Sequence, residues 1–132
     1  MKFLHNTTVK MYDTDAAGIL YFASQFRFVH DAFESFLNHH EIFLKDMLSH
    51  KDYMFVIVHT ESDYLEPVYL GDELTIELSV SKIGQTSVTF SYNLFRSSSL
   101  VGRAKTVHVA INSKSRQKIE IPKHLLDKFQ YD

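Results

Sequence analysis

One broad aromatic stripe at helical spacing, followed by nothing but alternating strands, is the feature that most limits what this chain can become. From Phe22 the apolar positions fall at Phe22, Phe26, Val29, Phe33, Phe36 and Leu37, with Gln25, Arg27, Asp31, Ser35 and Asn38 between them. That is the period of a helix with one apolar face. It predicts a helix of about four turns starting near Ser24, whose hydroxyl suits an N-cap. A shorter helical pattern covers Ile42 to Leu48. Beyond it, residues 52–67, 72–83, 85–96 and 100–112 read as strands. Leu74, Ile76, Leu78 and Val80 alternate with Thr75, Glu77 and Ser79, and Val88, Phe90, Tyr92 and Leu94 with Thr89, Ser91 and Asn93, so each strand has one wet face. Joins as short as "IGQ" and "SSS" imply antiparallel neighbours. An amphipathic helix and a one-faced sheet bury each other most economically when the sheet wraps around the helix. The expected fold class is therefore α+β, as a single domain over residues 1–132.

The ends of the chain fit this plan. The run "NTTVKMY" within residues 3 to 12 suits a strand that ends where Asp13 begins a polar turn. "IPKHLLDKF" looks like a C-terminal helix with Pro122 near its first turn. A sheet with open edges in so small a domain often continues into a second subunit, so a homo-oligomer, dimer or tetramer, is expected. A formal charge of −2 removes the argument for a nucleic-acid surface, and the absence of cysteine removes disulfides, thiolate metal sites and cysteine nucleophiles. With no apolar run of signal-peptide or membrane-spanning kind, the expected setting is the cytoplasm, with neither membrane nor nucleic acid as partner.

The chemistry concentrates in "MYDTDAAGILYF", residues 11 to 22. An EF-hand calcium loop counted from Asp13 needs an oxygen ligand at Ala17 and a glutamate at Ser24, and has neither. A phosphatase using Asp13 as nucleophile and Asp15 as acid/base belongs on a parallel doubly wound sheet, whereas this chain has antiparallel patterning. As a plain turn, Asp13 and Asp15 would shape the backbone, Gly18 would supply a positive φ, and Tyr21 and Phe22 would start the core. A fourth reading accounts for a carboxylate, a glycine and a helix start coming together. Unpaired N–H groups at a helix N-terminus suit an oxyanion formed from an attacked carbonyl, and a nearby carboxylate attacks that carbonyl or activates water. Glycine would let the loop approach the substrate closely. A thioester matches so sparse a site, because its thiol, of pKa ~8.5 by analogy with cysteine, leaves without strong acid assistance. No metal or cofactor is required.

"YDTDAAGILYFASQF" and the following "HDAFESFL" resemble the hotdog-fold acyl-CoA thioesterases of the 4-hydroxybenzoyl-CoA thioesterase type, whose motif is D-x-D-x-x-G-[IV]-[VL]-[YW]. The resemblance runs on through "IVHTESDYLEPVYLGDEL" and "AKTVHVAI", nearly the whole chain. It implies a hotdog fold, an acyl-CoA substrate, and no cofactor beyond the coenzyme A that the substrate itself carries. It places the catalytic carboxylate on Asp15, the carbonyl-polarising N–H on Phe22, and the loop-shaping glycine on Gly18. "YF" at 21 and 22 with "HDAFES" at 30 to 35 is most similar to the branch that hydrolyses 1,4-dihydroxy-2-naphthoyl-CoA in menaquinone and phylloquinone biosynthesis. The related Tol-Pal-associated thioesterases carry histidine where this chain has Phe22, a departure that favours an aromatic acyl pocket over short-chain acyl groups. The alternatives are a general short-chain or fatty acyl-CoA or acyl-carrier-protein thioesterase, and a hotdog protein that binds acyl thioesters without hydrolysing them.

Further candidates lie outside the loop. His30 and Glu34, four apart on one helix face, and Tyr21 and His59 are candidates for the acyl pocket, with Glu34 as a reserve base. His108, within a strand, also borders on that set, against the blander reading of a hydrogen-bonded structural histidine. "HHEIF" at 39 to 43 lacks the second histidine of a zinc motif. From Arg103 to Lys118 the chain carries five cations and no acid, which makes Arg116 and Lys118 candidates for the coenzyme A phosphates.

Overall fold

The structure, a computed structural model, describes residues 2–50 and 52–130. Strand β1 spans Phe3–Thr8 and is followed by a 3-10 turn at Met11–Asp13, helix α1 at Ser24–His39 and helix α2 at Leu44–His50. Strands β2 (Tyr53–Tyr64), β3 (Glu73–Ile83), β4 (Ser87–Arg96) and β5 (Ser99–Asn112) follow, then helix α3 (Lys123–Phe129). The strands form an antiparallel sheet in the order β1-β3-β4-β5-β2. The short joins make β3-β4 and β4-β5 hairpins as expected. The β2–β3 connection instead carries the chain from the edge of the sheet past β5 and β4, an order that no local pattern announces.

The sheet closes over α1 through the aromatic stripe. Phe28, Val29, Ala32, Phe33, Phe36 and Leu37 are buried along the helix, against Leu74, Ile76 and Leu78 of β3 and Val88, Phe90 and Leu94 of β4. Phe90 sits at the centre: Phe33 and Phe36 meet it edge-on at 5.1 and 5.7 Å between ring centroids, and Phe129 of α3 does so at 5.7 Å. Each such ring taken out of water contributes ~1.5–3 kcal/mol, with a further ~0.5–1.5 kcal/mol for edge-to-face pairing. This is the α+β arrangement, one helix wrapped by an antiparallel sheet, that the spacing predicts.

Several boundaries differ from expectation, and each difference bears on the motif loop. β1 stops at Thr8, and Asp13 does not open an exposed turn. It ends the 3-10 turn with 1% of its surface exposed. Its Oδ1 accepts from Nε and Nη2 of Arg27 at 2.9 and 2.6 Å, and its Oδ2 from the Lys10 N–H at 2.9 Å. Arg27 reaches on to Asp31 Oδ2 at 2.9 Å and lies over the rings of Tyr12 and Phe28. Ser24 is the first helical residue rather than the cap; Ala23 holds the cap position and makes no side-chain capping bond. Phe22 lies before the helix and is 62% exposed, so it does not belong to the core.

A carboxylate buried this fully must keep its cation. Arg27→Met removes the guanidinium while filling its stem volume, and stability is expected to fall by ~2–4 kcal/mol. That is below the full cost of breaking a buried pair, because the arginine is 39% exposed and Lys10 still donates. Denaturant unfolding measures this, and a loss under ~0.5 kcal/mol, the size of an exposed pair, would show that the clasp is incidental.

Candidate active site

The motif loop is a miniature hairpin pinned at both sides. Thr14 pairs with Leu20, the Asp15 N–H donates to the Ile19 carbonyl at 2.9 Å, and the Tyr21 N–H to the Asp13 carbonyl at 2.8 Å. At the tip Gly18 has φ +75° and a Cβ there would touch nothing within 4 Å. The glycine is therefore required by its left-handed backbone, not by close approach of the loop to a neighbour. The β2–β3 crossover supplies the other anchor: the Leu20 N–H donates to the Val68 carbonyl at 2.7 Å, the Leu70 N–H to the Gly18 carbonyl at 3.2 Å, and Ile19 pairs with Tyr69.

Within this frame the two aspartates have different jobs. Asp13 is consumed by Arg27 and Lys10. Asp15 is exposed, and its Oδ1 accepts from the Ala17 and Ile19 N–H groups at 2.8 and 3.3 Å. These bonds hold the carboxylate in one orientation. Among the described residues nothing donates to its Oδ2, which leaves one oxygen free to attack a carbon or take a proton from water.

The start of α1 supplies the complementary group. The Phe22 N–H donates to no acceptor among the described residues, while its carbonyl accepts from Tyr64 Oη at 2.5 Å. That bond ties the following Phe22–Ala23 peptide to the end of β2. Tyr21 and Phe22 are both largely exposed and pack on each other at 4.8 Å. One residue into the helix, Gln25 is only 1% exposed. Its Nε2 donates to Ser62 Oγ at 2.6 Å and to the Asp63 carbonyl at 3.0 Å. Gly102 of β5 makes room for it, since a Cβ at 102 would stand 2.8 Å from Gln25 Oε1. The uncapped helix end, with its partial positive charge and the unmet Phe22 N–H just before it, is thus fixed against β2 and β5.

Not all of the expected residues gather here. His30 and Glu34 face each other at 3.7 Å on exposed helix surface. Glu34 lies ten residues beyond Ser24, about 15 Å along the axis, too far to act as base on a carbonyl held at Phe22 of the same chain. His59 is exposed beside Glu61 at 3.9 Å, next to a bulge between Ile57 and His59. It is absent from the cavity beneath α1, which is lined instead by His30 and His108 among others. Arg116 and Lys118 sit in the turn after β5. Tyr53 pairs there with Asn112, whereas Tyr64 and Gly102 pair at the other end, beside the loop. The eleven residue steps of β2 from Tyr53 to Tyr64 span ~36 Å, so in one chain these two cations stand at the wrong end for this loop. Arg103 and Lys105, which follow Gly102 and are exposed on β5, are the cations of that run at the loop's end.

Gln25 escapes detection when it is counted among the polar residues of the outer face. The signal was present: Gln25, Val29, Ala32 and Phe36 keep the spacing of the buried stripe, and a glutamine on an apolar face needs buried partners. Arg27 as the partner of Asp13 had no such signal, because their pairing depends on how the loop folds back. Among the described residues no group of three or more His, Asp or Glu side chains is placed to hold a metal ion.

Comparison with known proteins identifies the family. The model of the thioesterase-like superfamily matches residues 9–129. The chain is 39% identical, over 96% of its length and 85% of the relative's, to the 1,4-dihydroxy-2-naphthoyl-CoA hydrolase of Nostoc punctiforme. It is 38% identical to the hydrolase of the same name from Trichodesmium erythraeum, covering 96% of each. The fold superposes on the crystal structure of a 1,4-dihydroxy-2-naphthoyl-CoA thioesterase from Synechocystis with a TM-score of 0.92 and 28% identity, over 98% of this chain and 96% of that one. With a wrapped helix, an uncapped N–H and a half-free carboxylate on one pinned loop, and a family match along almost its whole length, the chain belongs to the thioesterase-like superfamily.

Proposed function

We propose that the protein is an acyl-CoA thioesterase that hydrolyses an aromatic acyl-CoA, with 1,4-dihydroxy-2-naphthoyl-CoA of menaquinone or phylloquinone biosynthesis as the substrate. The observation that carries this reading is the pairing of a free Asp15 Oδ2 with an unmet Phe22 N–H on one rigid loop. The names of the relatives support the choice of acyl group. The thioester oxygen accepts from the Phe22 N–H, which meets the charge that grows on it as the carbonyl is attacked. Asp15 Oδ2 either adds to the carbonyl carbon, giving an anhydride that water then opens, or takes a proton from the water that adds. In both cases the C–S bond breaks and coenzyme A departs as a thiolate stable enough to leave unaided. No metal or separate cofactor takes part, and Arg103 and Lys105 are the cations best placed for the coenzyme A phosphates.

The second subunit belongs to the same proposal. β2 is an edge strand, and large apolar side chains stay exposed along it and beside the loop, among them Tyr21, Phe22, Ile57, Val58, Tyr64 and Tyr69. Strand pairing across that edge would cover them. Sedimentation at micromolar concentration is expected to give the mass of a dimer or tetramer of this cytoplasmic enzyme; the mass of one chain would contradict the pairing.

Asp15→Asn keeps the Oδ1 that holds the loop and removes the nucleophilic or basic oxygen. Turnover of 1,4-dihydroxy-2-naphthoyl-CoA is expected to fall ~10²–10⁴-fold, with an unchanged unfolding midpoint. A folded variant with full turnover would sink the assignment. A panel including short-chain and fatty acyl-CoA esters ranks the alternatives by kcat/KM, and binding without hydrolysis by the unaltered protein would mark a non-catalytic carrier.

A further inference from the structure

A cavity of about 340 Å3 opens between the α1 face carrying Phe26, Val29 and His30 and the strands carrying Ile57, Thr60, Tyr92 and Thr106. Phe26 lies in the first turn of α1 and His30 one turn further on, so the cavity runs along α1 from the end next to the unmet Phe22 N–H. Its size falls in the range of small-molecule pockets, and its lining has the usual mix of apolar walls and a few placed polar groups.

Those polar groups form a row. Tyr92 Oη lies 2.9 Å from Thr106 Oγ1, which lies 3.0 Å from His108 Nε2. Their residues are 1%, 5% and 3% exposed. His108 stacks on Phe33 at 4.3 Å, and burial, with the neighbouring His30 adding to it, pushes its pKa down to about 4, so the ring is neutral. Packing alone does not call for this row. Tyr92 shares the inward face of β4 with Val88, Phe90 and Leu94, where phenylalanine would fill the same space without burying a hydroxyl.

The row also has capacity to spare. A hydroxyl carries one donor and two acceptor positions, and a neutral imidazole one of each. If His108 Nε2–H donates to Thr106 and Thr106 to Tyr92, the Tyr92 O–H is left over as a donor. If the chain runs the other way, Tyr92 Oη keeps a lone pair. Either orientation leaves the Tyr92 end able to meet one further hydroxyl.

We propose that this cavity receives the aromatic ring of the acyl group and that the Tyr92–Thr106–His108 row hydrogen-bonds a hydroxyl on that ring. The inference rests on the thioesterase reading and adds to it the selection of hydroxylated over plain aromatic acyl groups. A site built to bond a substrate hydroxyl discriminates against the analogue that lacks it, because its own buried groups are then left unpaired.

The test measures kcat/KM for 1,4-dihydroxy-2-naphthoyl-CoA and 2-naphthoyl-CoA in the unaltered protein, in Tyr92→Phe and in Thr106→Val, with fluorescence titration of the free acid 1,4-dihydroxy-2-naphthoate as a readout without turnover. The unaltered protein is expected to prefer the hydroxylated ester, and Tyr92→Phe to lower that preference roughly 10–100-fold, as expected for one buried hydrogen bond. Thr106→Val, which breaks the row at its middle, serves if Tyr92→Phe does not fold. A preference unchanged within twofold in a folded variant, or no preference to begin with, overturns the row's role while leaving hydrolysis standing. If neither ester is hydrolysed but the free acid binds more weakly to Tyr92→Phe, the pocket stands and the thioesterase reading falls. Neither hydrolysis nor binding overturns both.

Discussion

The candidate site depends on a buried carboxylate that is occupied by structural partners. Asp13, buried at the end of a 3-10 turn, is held by two nitrogens of Arg27 and the Lys10 N–H. Since Arg27 lies in the first turn of α1, the pair fixes where the helix begins relative to the strand before it. Everything between them, residues 14 to 23, is then a short loop with both ends tied. Leaving that charge buried without its cation costs far more than an exposed ion pair yields, so the loop has one energetically acceptable closure.

That closure sets the two groups on which the proposed reaction relies. Asp15 is aimed by its bonds to Ala17 and Ile19, and the peptides on either side of Phe22 are held by the Ser24 N–H at the Tyr21 carbonyl and by Tyr64 at the Phe22 carbonyl. Gln25, reaching Ser62 and Asp63 over the bare Cα of Gly102, joins the helix start to two strands. Preorganisation of this kind matters because a donor that need not reorient is worth more to a developing oxyanion than one free to move.

Much of this was legible in the residues themselves. The stripe from Phe26 to Leu37 and the alternation of β3 and β4 report burial directly, so helix, strands and fold class follow from period alone. The family motif singles out Asp15, Gly18 and Phe22, and the structure sets all three on the one pinned loop. What stayed hidden depends on contacts between residues distant in sequence. Asp13 looks like any turn aspartate until Arg27 folds back onto it. Arg116 and Lys118 look like neighbours of the loop until the pairing of β2 with β5 sends them, within one chain, to the far end of the sheet. His59 and His108 are equivalent as strand histidines until a bulge turns one outward and the register turns the other into the core.

The central claim is that a backbone N–H, not a side chain, stabilises the oxyanion, and it is tested most directly at the atom concerned. Incorporating phenyllactic acid in place of Phe22 keeps the ring and replaces the N–H by an ester oxygen. The account predicts that kcat for 1,4-dihydroxy-2-naphthoyl-CoA falls ~10²–10³-fold, the usual cost of losing one oxyanion donor, while the protein stays folded, because that N–H makes no bond among the described residues. A folded ester variant that turns over at the original rate would contradict it.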